Sequence, residues 1–180
     1  MRWNTFGRGA VFAALAGLGI IPWLVVAGPL LGMRLGLAVY LVALTATAIS
    51  VMAPSRRRGL GAGVVAALLG SCLALVTRTL PELAFGLAVL FGTARGAFLY
   101  QLRPARAVAI EVVLVGGGLL FARFLAGPSL VSIGLSVWGF LLVQSFFFLV
   151  GGVRERTVQQ KDPFDAAHDR ARALLDGLPI

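Results

Sequence analysis

Apolar residues run almost unbroken from Ala10 to Gly152, and polar or chain-breaking residues divide them into six stretches: Ala10–Ala27, Met33–Ala53, Gly59–Val76, Leu83–Leu102, Ala107–Ala126 and Leu130–Gly152. A helix rising 1.5 Å per residue needs roughly 20 residues to cross a hydrocarbon layer of about 30 Å. Each stretch is close to that length. Backbone amides in lipid must be bonded within their own segment, so the pattern predicts helices. The expected breaks are Gly28-Pro29, Pro54-Ser55, Thr79 to Pro81, Pro104 and Gly127-Pro128. The connections are short, which makes consecutive helices antiparallel neighbours. The predicted fold is an all-α integral membrane protein of six transmembrane helices arranged as three antiparallel hairpins.

A short repeat accompanies this pattern. Gly36-Leu37-Ala38-Val39-Tyr40, Gly86-Leu87-Ala88-Val89-Leu90 and Gly134-Leu135-Ser136-Val137-Trp138 each open the return helix of a hairpin, after Pro29, Pro81 and Pro128. A spacing of about 50 residues suggests three tandem hairpins of one ancestral unit, although so Gly-, Ala- and Leu-rich a chain also produces short matches by composition. Small residues four apart (Gly32 with Gly36, Gly59 with Gly63, Ala66 with Gly70, Gly92 with Gly96) lie on one helix face and let backbones approach. They are read as packing positions within the bundle, with a dimer interface as the other reading.

Beyond Gly152 the pattern changes, dividing a bundle of residues 1–152 from a cytoplasmic linker and amphipathic helix of residues 153–180. Asp162-Pro163 reads as an N-cap with proline at the first helical position, and Gly177 with Pro179 as the stop. Phe164, Ala167, Ala171, Leu174 and Leu178 share one face at helical spacing and form a candidate docking face.

Hydrophobic residues make up 59% of the chain and charged residues 13%, outside the balance of a soluble domain. The net charge of +9 does not imply nucleic acid. Its arginines sit at the ends of the apolar stretches, where they act as topology signals and headgroup contacts. Arg2, Arg8, Arg56 to Arg58, Arg103, Arg106, Arg154, Arg156 and Lys161 fall on one side, whereas the other carries Arg34, Arg78 and Arg123. The positive-inside rule then puts both termini in the cytoplasm of a bacterial-type inner membrane. Ala10–Ala27 exceeds a signal-peptide core of roughly 7–15 residues and contains Pro22, so it reads as an uncleaved span. Trp3, Trp23 and Tyr100 are placed for aromatic belts, and Phe146 to Phe148 as bulk facing lipid or packing near the end of the sixth stretch. Cys72, the single cysteine, reads as a small packing residue.

The chemistry of common active sites finds few residues to use. His168, the one histidine, and all four aspartates belong to the tail, and Lys161 is the one lysine. Zinc-binding His pairs, Ser-His-Asp sets, paired intramembrane aspartates, CxxC pairs and phosphate-binding glycine loops have no counterpart here. The expectation is a protein that is not an enzyme, with no cofactor and no metal site. One polar layer remains. Arg95 lies about 10 Å inside the fourth stretch, Glu111 at a similar depth in the fifth, Gln144 about 12 Å from the end of the sixth, and Thr47 of the second falls in the same layer. A charged side chain at such depth is costly and needs a partner, so Arg95, Glu111, Gln144 and Thr47 form the candidate intramembrane polar cluster. The expected function is that of a non-catalytic subunit or scaffold of a membrane complex. Its partners would be the lipid bilayer and another membrane protein or a second copy of the chain. The alternative is a small transporter or channel that uses the polar layer.

Overall fold

A computed structural model of the chain describes residues 6–53, 56–99 and 104–150. They form α1 (Phe6–Leu31), α2 (Met33–Met52), α3 (Arg56–Val76), α4 (Leu80–Leu99), α5 (Pro104–Leu125), α6 (Leu130–Ser145) and a single turn, α7 (Phe147–Val150). Among the described residues, five segments are long and apolar enough to cross a membrane: those of α1, α2, α3 and α5, and Leu130–Leu149, which takes in α6 and most of α7. The remaining long helix, α4, has 20 residues and carries both Glu82 and Arg95. Large apolar side chains such as Leu30, Leu75 and Phe124 point outward, and only 11% of the apolar window of α5 is buried. That surface suits lipid rather than water, and the chain is a helical multi-span membrane protein. The tail, with its candidate docking face, lies outside the described residues.

Glycines set which helices touch. Gly17 of α1 and Gly134 of α6 meet backbone to backbone: a Cβ on Gly134 would sit 2.7 Å from the Gly17 carbonyl oxygen, and one on Gly17 2.9 Å from that of Gly134. Gly59 and Gly63 bring α3 equally close to Ser50 of α2. Gly118 of α5 receives Phe140, and Gly139 of α6 receives Phe121 and Leu125. The tightest pairs are accordingly α1–α6, α2–α3 and α5–α6. The expected pairing of α3 with α4 is looser, because Leu83 and Leu87 of α4 pack chiefly on Ala38 and Val42 of α2. Gly36 and Gly86, the first glycines of two repeat blocks, pack on Leu24 of α1 and Leu73 of α3, each the preceding helix, whereas Gly134 packs on α1 instead of α5. Cys72 is exposed on α3 rather than packed.

Several boundaries differ from the sequence reading. Gly28-Pro29 does not end the first helix; α1 runs through Pro22 and Pro29 and stops at Gly32, the one described residue with positive φ, +78°. A proline deletes one backbone donor, which a membrane helix tolerates, whereas the chain reversal requires a residue without a Cβ. Gly32 is therefore a turn and not half of a packing pair. At the other end, α6 breaks at Phe146, whose N–H turns back to the Val143 carbonyl at 3.1 Å. Thr79-Leu80-Pro81-Glu82 forms a capping box: the Glu82 carboxylate accepts from the N–H groups of Arg78 (2.9 Å) and Thr79 (3.2 Å), and the Thr79 hydroxyl accepts from Glu82 N–H at 3.4 Å. Ser129 caps α6 through Ser132 N–H at 3.1 Å. Arg34 donates to the Thr77 carbonyl at 2.8 Å, joining two turns at this capped end of the bundle.

Candidate functional site

Toward the end of the bundle opposite those caps, three helices converge on Arg95. The guanidinium is 1% exposed and faces Glu111 side-on, with Nε donating to Oε1 at 2.7 Å and Nη2 to Oε2 at 2.6 Å. Nη1 donates to the backbone carbonyl of Gln144 at 3.2 Å. All three nitrogens are thus engaged, in the paired geometry that makes arginine–carboxylate contacts strong. Two rings complete the enclosure: the guanidinium carbon lies 4.7 Å from the centre of Phe147 and 5.4 Å from that of Phe91. Desolvation by these rings removes competing water and strengthens both the ion pair and the cation–π attraction.

Local structure explains each position. The regular ladder of α6 ends at Ser145, and the carbonyl of Gln144 lies at this break, where Arg95 reaches it. The same break turns Phe147 inward, to 1% exposure, and leaves Phe146 exposed. Gly92, one turn before Arg95, keeps α4 close to α5, since a Cβ there would stand 2.9 Å from Glu111 Oε2. The Gln144 amide donates to the Leu114 carbonyl at 2.8 Å, tying α6 to α5. Its Oε1 is the one buried side-chain polar atom among the described residues without a hydrogen-bond partner, and the residue borders a cavity of about 40 Å³ with Gly9, Ser145 and Phe148.

Of the predicted cluster, the structure brings Arg95, Glu111 and Gln144 together. Thr47 stands apart: it is exposed on α2 and its hydroxyl donates to the Ala43 carbonyl at 2.7 Å. The two rings on Arg95 were not foreseen. Phe91 was legible, being four residues before Arg95 and so on the same helix face. Phe147 was not, because its direction depends on the break at Phe146.

A larger cavity, about 530 Å³, begins one turn from Arg95 and runs to the capped end between α2, α4, α5 and α6. Leu44, Leu87, Phe140 and Val137 are among its walls. Ala48, Phe91 and Leu141 border both cavities and separate them. Arg95, Glu111 and Gln144 do not line the larger one. Compared with protein-family models, curated proteins and solved structures, the chain matches none of them.

Proposed function

We propose that the chain is a six-span protein of a bacterial-type inner membrane, with both termini cytoplasmic, that acts without catalysis as a subunit or scaffold of a larger membrane complex. α4 supplies the sixth span; its two charges stand near opposite ends, Glu82 in a cap and Arg95 in an ion pair. The observation that carries this reading is the saturation of Arg95. A guanidinium held by a carboxylate, a carbonyl and two rings ties α4, α5 and α6 together and has no nitrogen without a partner to offer a passing solute. The tail stripe of Phe164, Ala167, Ala171, Leu174 and Leu178 would then dock on a partner or a second copy. The test is the size of the native complex in mild detergent, with the full chain and with a chain lacking residues 162–180. A complex larger than one chain that shrinks on truncation supports the reading; a monomer in both cases overturns it.

A second reading, a small transporter, draws on one observation: only Ala48, Phe91 and Leu141 separate the larger cavity from the smaller one beside Gln144. Proteoliposome flux that rises when Phe91 is replaced by Ala would favour it over the scaffold.

A further inference from the structure

We infer that the larger cavity is a lipid site, holding one acyl chain of an anionic phospholipid whose headgroup phosphate meets Arg123. The inference requires only that the bundle spans a bilayer.

The shape of the cavity selects the occupant. From Leu80 to Phe91 on α4, and from Leu37 to Ala48 on α2, it extends over twelve residues, a rise of about 16 Å along the helix. That is half of a hydrocarbon core of about 30 Å, so the cavity is one leaflet deep and ends at mid-membrane. A route for a polar solute would need to continue; an acyl chain needs to go no further. The volume of about 530 Å³ falls in the range of sites for small organic ligands.

The opening faces sideways. α4 and α5 lie close where Gly92 meets Glu111 and Val115, and toward the capped end residues of both helices line the cavity. Phe85 of α4, 59% exposed, and Leu120 of α5, 74% exposed, form the two lips. A chain can enter from the leaflet through this gap without passing through water. The walls ask for no hydrogen bond. Their hydroxyls are already used, Thr45 donating to the Leu41 carbonyl and Ser136 to that of Ser132, both at 2.8 Å. An aliphatic chain leaves nothing buried unsatisfied there.

Charge sets the head of the lipid. Arg123, in the last turn of α5, lines the mouth near the capped end. Its side chain makes no hydrogen bond or ion pair with the described residues. The exposed acid of this end, Glu82, is committed to the backbone amides of Arg78 and Thr79. A guanidinium at headgroup depth over an apolar cleft matches a phosphate above a chain.

The experiment uses the full chain in bilayers of phosphatidylcholine with a minor fraction of phosphatidylglycerol carrying a diazirine near the end of one acyl chain. After irradiation, peptide mapping should place the label on α4 and α6 near Phe91 and Leu141. Native mass spectrometry should show one phosphatidylglycerol retained in preference to phosphatidylcholine by about fivefold, the scale set by one arginine at an anionic surface. Arg123→Gln should remove that preference while labelling in the cleft persists, and Ala84→Phe should remove the cleft label. Labelling spread evenly over the outward faces, or equal retention of both lipids by the wild type, overturns the inference. Labels excluded from the cleft in a dimer of constant mass would place a second copy there and overturn it as well. The mapping on the wild-type chain stands even if a variant fails to fold.

Discussion

Arg95 and Glu111 join α4 to α5 beside Gly92, where the two helices lie close, and toward the capped end residues of the same pair of helices line a cleft. The ion pair is therefore the pin of a seam. Because α4 rests mainly on α2, and α5 on α6, the pin also closes the ring of helices.

Removing one member of this pair leaves the other buried, which commonly costs about 3–5 kcal/mol, whereas replacing both with apolar residues is often near neutral. Arg95→Leu and Glu111→Leu should each lower thermal stability in detergent, and the double variant should recover much of the loss. Glu111→Leu should be the worse single change, since a lone carboxylate can take up a proton and a lone guanidinium cannot release one. Additive losses, read from thermal melts of the four proteins, would show that the two residues are not coupled.

Close glycines and open glycines should behave oppositely. Gly134→Ala puts a methyl group against the Gly17 carbonyl, which is backbone and cannot rotate away, and should cost about 1–3 kcal/mol. Gly116 and Gly117 have nothing within 4 Å of where a Cβ would stand. Alanine at either should be neutral or stabilise by up to about 1 kcal/mol through reduced backbone freedom in the unfolded chain. Denaturation of the three variants in one detergent checks the contrast.

The cap of α4 carries a pH dependence. Hydrogen bonds from the Arg78 and Thr79 amides hold the Glu82 carboxyl below its ordinary value. A value depressed by folding contributes stability that is complete above the unfolded glutamate value, roughly 4.3, and is lost as pH falls through the lower folded value. Amide exchange at Arg78 and Thr79, corrected for its intrinsic pH dependence, should lose protection over that acidic window. In Glu82→Gln the loss should be largely independent of pH. Equal pH dependence in both proteins would remove Glu82 as the cause.

Topology is open to labelling. In a Cys72→Ser background, which removes the exposed native thiol, cysteine at Ser129 should react with an impermeant maleimide from outside the cell, and cysteine at Ser55 only after the membrane is opened. The reverse pattern would invert the orientation proposed from the arginines.

What the sequence determined by itself was position along the membrane normal. A helix converts residue count into depth at 1.5 Å per residue, so the apolar lengths and the shared level of Arg95, Glu111 and Gln144 could be read from the order of residues, whereas the first turn came at Gly32 and not at Gly28-Pro29. Direction around each helix was a different matter. Spans apolar on every side carry little contrast between core and lipid, so composition does not say which face turns inward. Thr47 lies at the depth of the polar layer yet points outward, while Phe147 turns in through a break that no pattern announced. Helix neighbours followed from where Gly17, Gly59, Gly63 and Gly134 admit another backbone, and those contacts moved α3 toward α2 and α1 toward α6. The cleft, finally, is the space that α2, α4, α5 and α6 enclose beyond the Arg95–Glu111 pair, a relation between helices that no single segment contains.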